Sequence, residues 1–377
     1  MTRIDADWLN SVPSQQVCSV LTNAGYQAWF VGGCVRNALL GVPVADLDLT
    51  TDAHPEVVMR LAKAAGLRVL PTGIEHGTVT IITENAAFEV TTFRRDVETD
   101  GRRATVAFAD NITDDARRRD FTMNALYAGP DGKIADPLGG LPDLENRRVR
   151  FIEDPEQRIR EDYLRILRYF RFHAFYGDPN QGPDPNALAA CAANIEGLQR
   201  LSSERVTSEL LKLLSAPNPA PSVAAMASTG ALMQVLPGAD HGFLAVLVHV
   251  EQAAGMKPDP VRRLAILGGD RDGLRLSKAQ ARQLDQISCD FSNGETAYRF
   301  GDAVALDKLA VESATMGHEI DPKKAKFANF AAIQQMPIKA VDLMDRFQGP
   351  ALGRALKEAE ARWIASDFSL TKEELLR

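Results

Sequence analysis

Gly32 and Gly33 are followed by Arg36, and a little further on Asp46 and Asp48 flank Leu47. The run Ala28–Val31 before the glycines reads as a short apolar strand. Cys34–Leu40 after them reads as a short helix that Gly41 stops. Two glycines between strand and helix let a ligand come close to the backbone. The free amides of the helix favour a phosphate, and Arg36, one turn in, can grip the same triphosphate with two donors. Asp46–Thr50 alternates acidic and aliphatic side chains as a half-exposed strand does, which turns Asp46 and Asp48 to one side. Two hard oxygen ligands side by side suit a Mg²⁺ ion that also holds phosphate oxygens. Singly, a Gly-Gly pair is commonly a turn and an Asp-x-Asp a solvated edge. Their closeness within one strand-helix-strand unit favours the metal site. Glu89, between Phe88 and Val90 on a nearby strand-like run, is the candidate third carboxylate, the alternative being an ordinary edge-strand glutamate.

Two further clusters carry chemistry. In Arg118–Asn124, paired arginines precede an apolar run. Arg119 can reach phosphate or ribose, and Asp120 or Asn124 a ribose hydroxyl, although a salt-bridge cluster at a helix start has the same composition. In Glu161–Arg171, the residues Asp162, Arg165, Arg168 and Arg171 recur at three-residue steps and so line one face of a helix. Leu164, Leu167 and Phe170 or Phe172 are left to pack inward. A carboxylate and a guanidinium one turn apart can present an acceptor and donors to the edge of a base. The amino group of cytosine or adenine would meet Asp162, and the adjacent acceptor would meet Arg165. On the residues alone, an intrahelical ion pair is the simpler account.

Two kinds of region hold these clusters. Residues 1–140 read as a mixed α/β unit: a helix near Asp7–Asn23, the elements already named, and strands at Gly77–Thr83 and Ala87–Phe93. Arg94–Arg103 is polar, contains Asp100-Gly101 and reads as a mobile loop. From about Pro155 the pattern is helical, with helices over Arg158–Tyr176 and Ser202–Leu214. Three prolines in Ser215–Ser222 mark a boundary, beyond which alanine and leucine dominate and no strand pattern appears. The 377 residues suffice for two or three domains. No apolar run reaches eighteen residues, so no membrane span is expected. The start of the chain shows no secretory signal. Four scattered cysteines form no metal or disulfide pattern and fit a reducing cytoplasm. The net charge of −7 argues against nonspecific coating of nucleic acid but permits a local basic groove, and the arginines do cluster, in 117–119, 147–150 and 158–171.

The blocks VGGCVRNALLGVPVADLDL, FEVTTFR, TDGRRATVAF, RRDFTMNALY, DPLGGLPDL, EDYLRILRYFRF and SSERVTSELLKLL occur in this order. Together they resemble the successive motifs of the bacterial and mitochondrial tRNA nucleotidyltransferases, the CCA-adding enzymes, over roughly residues 28–215. The resemblance implies an α+β protein. A nucleotidyltransferase head with a mixed sheet (1–140) would be followed by a helical neck that recognises the base (141–215) and a helical body and tail that bind tRNA (216–377). It implies addition of CMP, CMP and AMP to the 3′ end of tRNA from CTP and ATP, with two Mg²⁺ ions at Asp46 and Asp48. Gly32, Gly33 and Arg36 would hold the triphosphate, and Arg119 the nucleotide near its ribose and phosphates. Asp162 and Arg165 would act as a protein template for the base, with Arg168 and Arg171 beside them, and Glu204 and Arg205 would brace that helix. The segment around Asp100-Gly101-Arg102 resembles the element used in switching from C to A. The chain departs from many relatives at Asn37, where they carry aspartate.

The partners implied are tRNA, CTP and ATP, with no membrane and no DNA. Three readings compete with this one: a poly(A) polymerase of the same superfamily, an enzyme that adds only part of CCA, and an inactive RNA-binding module on the same fold. The intact Asp46, Asp48 and Arg36 speak against the last.

Overall fold

The computed structural model of the chain describes residues 2–84, 86–100 and 103–377. Its backbone divides into two compact units, one of residues 1–205 with 225–235, the other of 206–224 with 236–377. The first unit contains all the strands: β1 (Trp29–Val31), β2 (Leu47–Thr51), β3 (Arg68–Gly73), β4 (Thr78–Ile82), β5 (Ala87–Thr92), β6 (Arg94–Asp100), β7 (Arg103–Phe108), β8 (Tyr127–Ala128) and β9 (Ile134–Ala135). Seven of them form a mixed sheet in the order β3-β4-β5-β2-β1-β8-β9. Only β2 and β5 run parallel among the described pairs, and the helix Pro55–Ala64 lies in the connection between them. The expected mixed α/β architecture of this region is what the structure shows.

The sequence dictates the register. In β5 the side chains of Phe88, Val90 and Thr92 are buried while Ala87 and Glu89 are exposed, the period-two pattern of a strand with one face on a core. Pairing sets Leu47 against Phe88, Asp48 against Glu89 and Leu49 against Val90. A one-residue slip would drive Glu89 into that core, so the position of the carboxylate is fixed by the burial of its neighbours.

Three sequence expectations change. The helix near Asp7–Asn23 is two, Asp7–Asn10 and Val12–Thr22, because Ser11 is extended and its side chain accepts from the Ser14 amide to start the second. The polar segment read as a loop is mostly paired: β6 and β7 form a two-stranded antiparallel ladder from Arg94–Phe108 to Asp100–Arg103. Gly101 and Arg102 lie outside the described residues. Polar composition hid this ladder, because backbone hydrogen bonds to a neighbouring strand do not depend on apolar side chains. The third change, in Arg158–Tyr176, bears on the site and is described with it.

In the second unit every described element is helical. One core gathers Trp363, Ile338, Leu343, Ile364 and Phe368 with small residues such as Ala328 and Ala331 that let helices approach. Glu251 lies buried between Arg262 and Arg263, with nitrogen–oxygen distances of 2.8 and 2.7 Å. Arg263 also donates to the carbonyls of Leu214, at 2.7 Å, and Pro217, at 3.2 Å. The proline-rich turn is therefore held by a buried guanidinium whose charge Glu251 balances. No described helix is long and apolar enough to cross a membrane.

Candidate active site

A cavity of about 550 Å³ in the first unit is lined by Gly32, Gly33, Arg36, Asp48, Arg119, Asp162, Arg165 and Arg168, residues that sequence reasoning singled out from three separate clusters. Arg94, Arg118, Asp120, Asn124 and Arg205 line it too. Asp46, Glu89 and Arg171 do not belong to the lining.

Gly32 sits between β1 and the helix Gly33–Leu39 with φ +74°, a left-handed conformation that a residue with a Cβ adopts only under strain. The buried thiol of Cys34 donates to the carbonyls of Val31, at 3.4 Å, and Asp48, at 3.9 Å. It thereby ties the glycine turn to the strand that carries Asp48. Burial pushes this thiol up to about 11, so it serves as a packing group rather than a nucleophile.

β2 begins one residue later than expected, so Asp46 precedes it and Asp48 lies inside. Asp48 and Glu89 are direct neighbours across β2 and β5. Burial raises the Asp48 carboxyl above the ordinary aspartate range, and the charges of Glu89 and Asp46 raise it further against the pull of Arg119. Three carboxylates that repel one another beside a cavity make a place where a cation is favoured. Among the described residues no three acidic or imidazole side chains form a ready-made metal cage. A donor set of that kind suits an ion that completes its shell with substrate phosphate oxygens and water, as Mg²⁺ does, rather than one enclosed by protein.

Arg36 is 7% exposed, and its hydrogen-bond partners are all neutral. Its Nη1 donates to Asn124 Oδ1 at 2.5 Å, its Nη2 to Asn37 Oδ1 at 2.9 Å and to the Tyr176 hydroxyl at 2.8 Å. Burial pulls the guanidinium below the ordinary arginine value, with Tyr176 and Asp120 pulling the other way. A buried cation without a contacting carboxylate is available to an anion entering the cavity. Asn37 thus braces Arg36 through its Oδ1, while its Nδ2 donates to the Pro43 carbonyl at 3.0 Å.

Arg119 is positioned by residues the sequence did not disclose. Its Nε and Nη2 donate to Asp115 Oδ2 at 3.2 and 2.9 Å, and its Nε also approaches the Tyr127 hydroxyl at 3.2 Å. Burial disfavours both charges, but Arg119 and Arg118 outweigh it and hold the fully buried Asp115 carboxyl well below its ordinary range. Among the described residues Nη1 of Arg119 has no hydrogen-bond partner, and it lies 3.6 Å from where a Cβ on Gly32 would stand. Asp115 falls four residues before Arg119 on a helical turn, the one spacing signal that could have found it.

Asp120 is engaged inside the protein. Its Oδ1 accepts from Asn124 Nδ2 at 2.8 Å and from the Phe121 amide, and its Oδ2 accepts from Arg168 Nε at 2.8 Å. Arg168 is therefore clasped by a buried carboxylate. Aromatic packing keeps this clasp in place: Phe121 meets Phe151 at 5.0 Å and Phe172 at 4.9 Å between ring centroids.

The expected continuous helix over Arg158–Tyr176 is broken in two, Pro155–Glu161 and Leu164–Tyr176. Asp162 is the extended junction, φ −152° and ψ 105°. Its Oδ1 accepts from the Leu164 amide at 3.1 Å and so competes with continuation of the helix. Asp162 and Arg165 consequently do not share a helical face, yet both line the cavity. Asp162 Oδ2 also accepts from Arg205 at 2.7 Å, so Arg205 meets the carboxylate itself rather than only bracing a helix. Arg165 donates through Nη1 to Glu161 and to the Arg158 carbonyl, both at 2.7 Å, and through Nη2 to the Arg118 carbonyl at 3.2 Å. These bonds leave its Nε and one Nη2 hydrogen uncommitted, since arginine has five donors. Arg171 stacks over Phe172 with 4.7 Å from guanidinium carbon to ring centroid.

The mixed sheet thus sets a glycine turn and the Asp48–Glu89 pair beside a basic cavity, an arrangement suited to a nucleoside triphosphate and a divalent cation. The family profile described as the Poly A polymerase head domain matches residues 28–150, and the one described as the probable RNA and SrmB-binding site of polymerase A matches 183–243. The CCA-adding enzyme of Limosilactobacillus fermentum is 32% identical over 94% of both chains. The human mitochondrial CCA tRNA nucleotidyltransferase 1 is 41% identical over 53% of this chain, which spans only 46% of that relative's length. The crystal structure of the Bacillus stearothermophilus CCA-adding enzyme in complex with CTP superposes with a TM-score of 0.72 at 26% identity, covering 96% of this chain and 95% of that one. The chain belongs to the family of CCA-adding tRNA nucleotidyltransferases.

Proposed function

We propose that the protein adds CMP, CMP and AMP in turn to the 3′ end of tRNA, using CTP and ATP and releasing pyrophosphate. The observation that carries this reading is the composition of one cavity. It brings the glycine turn, Arg36 and Arg119 together with Asp48 and with the Asp162 and Arg165 pair. The groups read as binding the triphosphate and the base thereby share a single space with Asp48 of the metal-binding carboxylates. Arg36 and Gly33 hold the triphosphate, and Arg119 reaches phosphate or ribose through its uncommitted Nη1. Asp162 accepts the amino proton of cytosine or adenine, and the uncommitted donors of Arg165 meet the neighbouring acceptor of the base. Arg168, clasped by Asp120, and Arg171 keep this region in place. Arg205, paired with Asp162, fixes the carboxylate against the cavity.

In the transfer, the 3′ oxygen of the RNA bonds to the α-phosphorus of the nucleotide as the bond to pyrophosphate breaks and the hydroxyl proton passes to water. Asp46, Asp48 and Glu89 would hold Mg²⁺, in our reading two ions. Bound there, the ions would favour the deprotonated hydroxyl and neutralise the charge on departing pyrophosphate. The residues of the chain do the remaining work by positioning and charge, since no covalent enzyme intermediate is needed. Residues 1–140 act in this reading as the catalytic head, 141–215 as the base-recognising neck and 216–377 as the tRNA-binding body and tail. In this reading the reaction takes place in the cytoplasm and its acceptor is RNA rather than DNA.

The test is incubation of a tRNA lacking CCA with Mg²⁺ and each nucleotide singly and in combination. Addition of two C residues with CTP alone and completion with ATP supports the reading. A run of A from ATP alone identifies a poly(A) polymerase instead.

A further inference from the structure

Arg36 lies on the helix Gly33–Leu39 and lines the cavity, yet its long-range contacts end on a different element, the helix Leu164–Tyr176. One contact is direct. The Tyr176 hydroxyl accepts from Arg36 Nη2 at 2.8 Å, and the guanidinium carbon lies 4.0 Å from the centre of the Tyr176 ring. The other passes through side chains. Arg36 Nη1 donates to Asn124, Asn124 donates to Asp120 at 2.8 Å, and Asp120 accepts from Arg168 on the same helix. A further hydrogen-bond partner, Asn37, is the next residue in the chain and fixes one edge of the guanidinium locally. Arg36 is thus oriented by the helix whose opposite end carries Arg165.

We propose that Tyr176 is a positioning residue for nucleotide binding, which holds the Arg36 guanidinium toward the triphosphate through both its ring face and its hydroxyl. The proposal rests on the reading of Arg36 as the triphosphate grip. Tyr176 suits the task because it is neutral. A ring face favours a cation without neutralising it, and a phenol oxygen accepts one hydrogen bond while leaving the formal charge in place. A carboxylate in the same position would compete with the substrate for that charge. The hydroxyl is anchored from behind: Tyr176 packs on Phe172 at 5.4 Å, and the following Gly177 closes the helix through its amide to the His173 carbonyl at 2.9 Å. Arg36 is also 5.2 Å from the Phe172 ring centre, so removing Tyr176 leaves a partial platform and not an empty space.

The experiment is a double-mutant cycle on the full chain with Arg36→Ala, Tyr176→Phe, Tyr176→Leu and the combined Arg36→Ala/Tyr176→Leu. The KM and kcat for CTP and for ATP are measured on a tRNA lacking CCA, and the Kd of each nucleotide with Mg²⁺ is measured by calorimetry. Loss of the hydroxyl in Tyr176→Phe is expected to raise KM and Kd for both nucleotides about three- to tenfold. Tyr176→Leu raises them further, with the change in KM rather than kcat. In the Arg36→Ala background, Tyr176→Leu adds nothing, because there is no guanidinium left to position. Tyr176 is overturned as a positioning residue if Tyr176→Leu leaves Kd unchanged in the parent protein, or if its effect persists in full on Arg36→Ala. If the parent protein binds Mg·CTP and Mg·ATP but transfers neither to this RNA, the proposed function fails while the calorimetric cycle still decides on Tyr176. If it binds neither nucleotide, both are wrong.

Discussion

Asp48 carries the electrostatic tension of the site. Its carboxyl is raised by burial, by Glu89 and by Asp46. A native pKa above the unfolded value means that the folded protein binds the extra proton, so metal-free stability falls as pH rises through that interval. Asp48→Asn is therefore expected to raise the metal-free Tm at pH 7 and to remove the further rise that Mg²⁺ gives the parent protein. It should also lower CMP and AMP incorporation together by about two orders of magnitude or more. Scanning calorimetry with and without Mg²⁺, beside the incorporation assay, checks both halves. A variant that stayed active, or a parent protein indifferent to Mg²⁺, would remove the metal assignment.

Arg165 has three donor contacts inside the protein and two hydrogens to spare. Its replacement by alanine is expected to reduce the ratio of CTP to UTP incorporation by a factor that corresponds to about 1–3 kcal/mol. Because the same guanidinium shares Glu161 with Arg158, some loss of Tm accompanies it. An unchanged ratio with collapsed total activity would make Arg165 a brace alone. Asp115 makes the opposite case, a residue that touches no substrate in this reading yet holds two arginines. Asp115→Ala leaves Arg118 and Arg119 without their buried counter-charge and is expected to cost about 3–5 kcal/mol in urea unfolding. Its native carboxyl lies below the ordinary 3.8. The stability it supplies is thus fully present above that pH and is lost as pH falls below it. The Asp115→Asn variant should show a flatter acid limb than the parent.

At the scale of elements, strong local patterns were legible and tertiary choices were not. β5 announces itself by strict alternation, and the helix Ser203–Leu214 by its amphipathic spacing. The exposed face of Glu89 and its place beside Asp48 were legible because its apolar neighbours are buried. The break at Asp162 was not, since apolar spacing continues across it and only the capping of the Leu164 amide interrupts the helix. Asp115 and Tyr127 escaped because a single acid and a single phenol have no periodic signature. The partners of Arg36 escaped because Tyr176 is 140 residues away in sequence. The helix Leu164–Tyr176 also carries a buried histidine. Burial lowers the His173 pKa against the pull of the Gly182 backbone. Its neutral form is thus the native one, and stability falls as pH drops below the ordinary histidine value of 6.5. His173→Gln should remove part of that dependence in thermal melts between pH 7 and 5.

For the molecule as a whole, the balance of charge is reversed locally. The chain carries −7 overall, yet arginines outnumber aspartates seven to three in the lining of the cavity. That excess concentrates positive potential where a triphosphate and an RNA end would meet, and it makes nucleotide and RNA binding sensitive to salt. The chain spans 46% of the length of the human mitochondrial enzyme and 94% of that of the Limosilactobacillus fermentum enzyme. The product formed by this chain is therefore the decisive observable. A tRNA lacking CCA should be incubated with the full chain, Mg²⁺ and all four nucleotides, and the 3′ ends of the products sequenced. CCA addition predicts ends that read CCA and stop there, with U and G nearly absent. Ends that carry a run of A, or that show no extension at all, would contradict it.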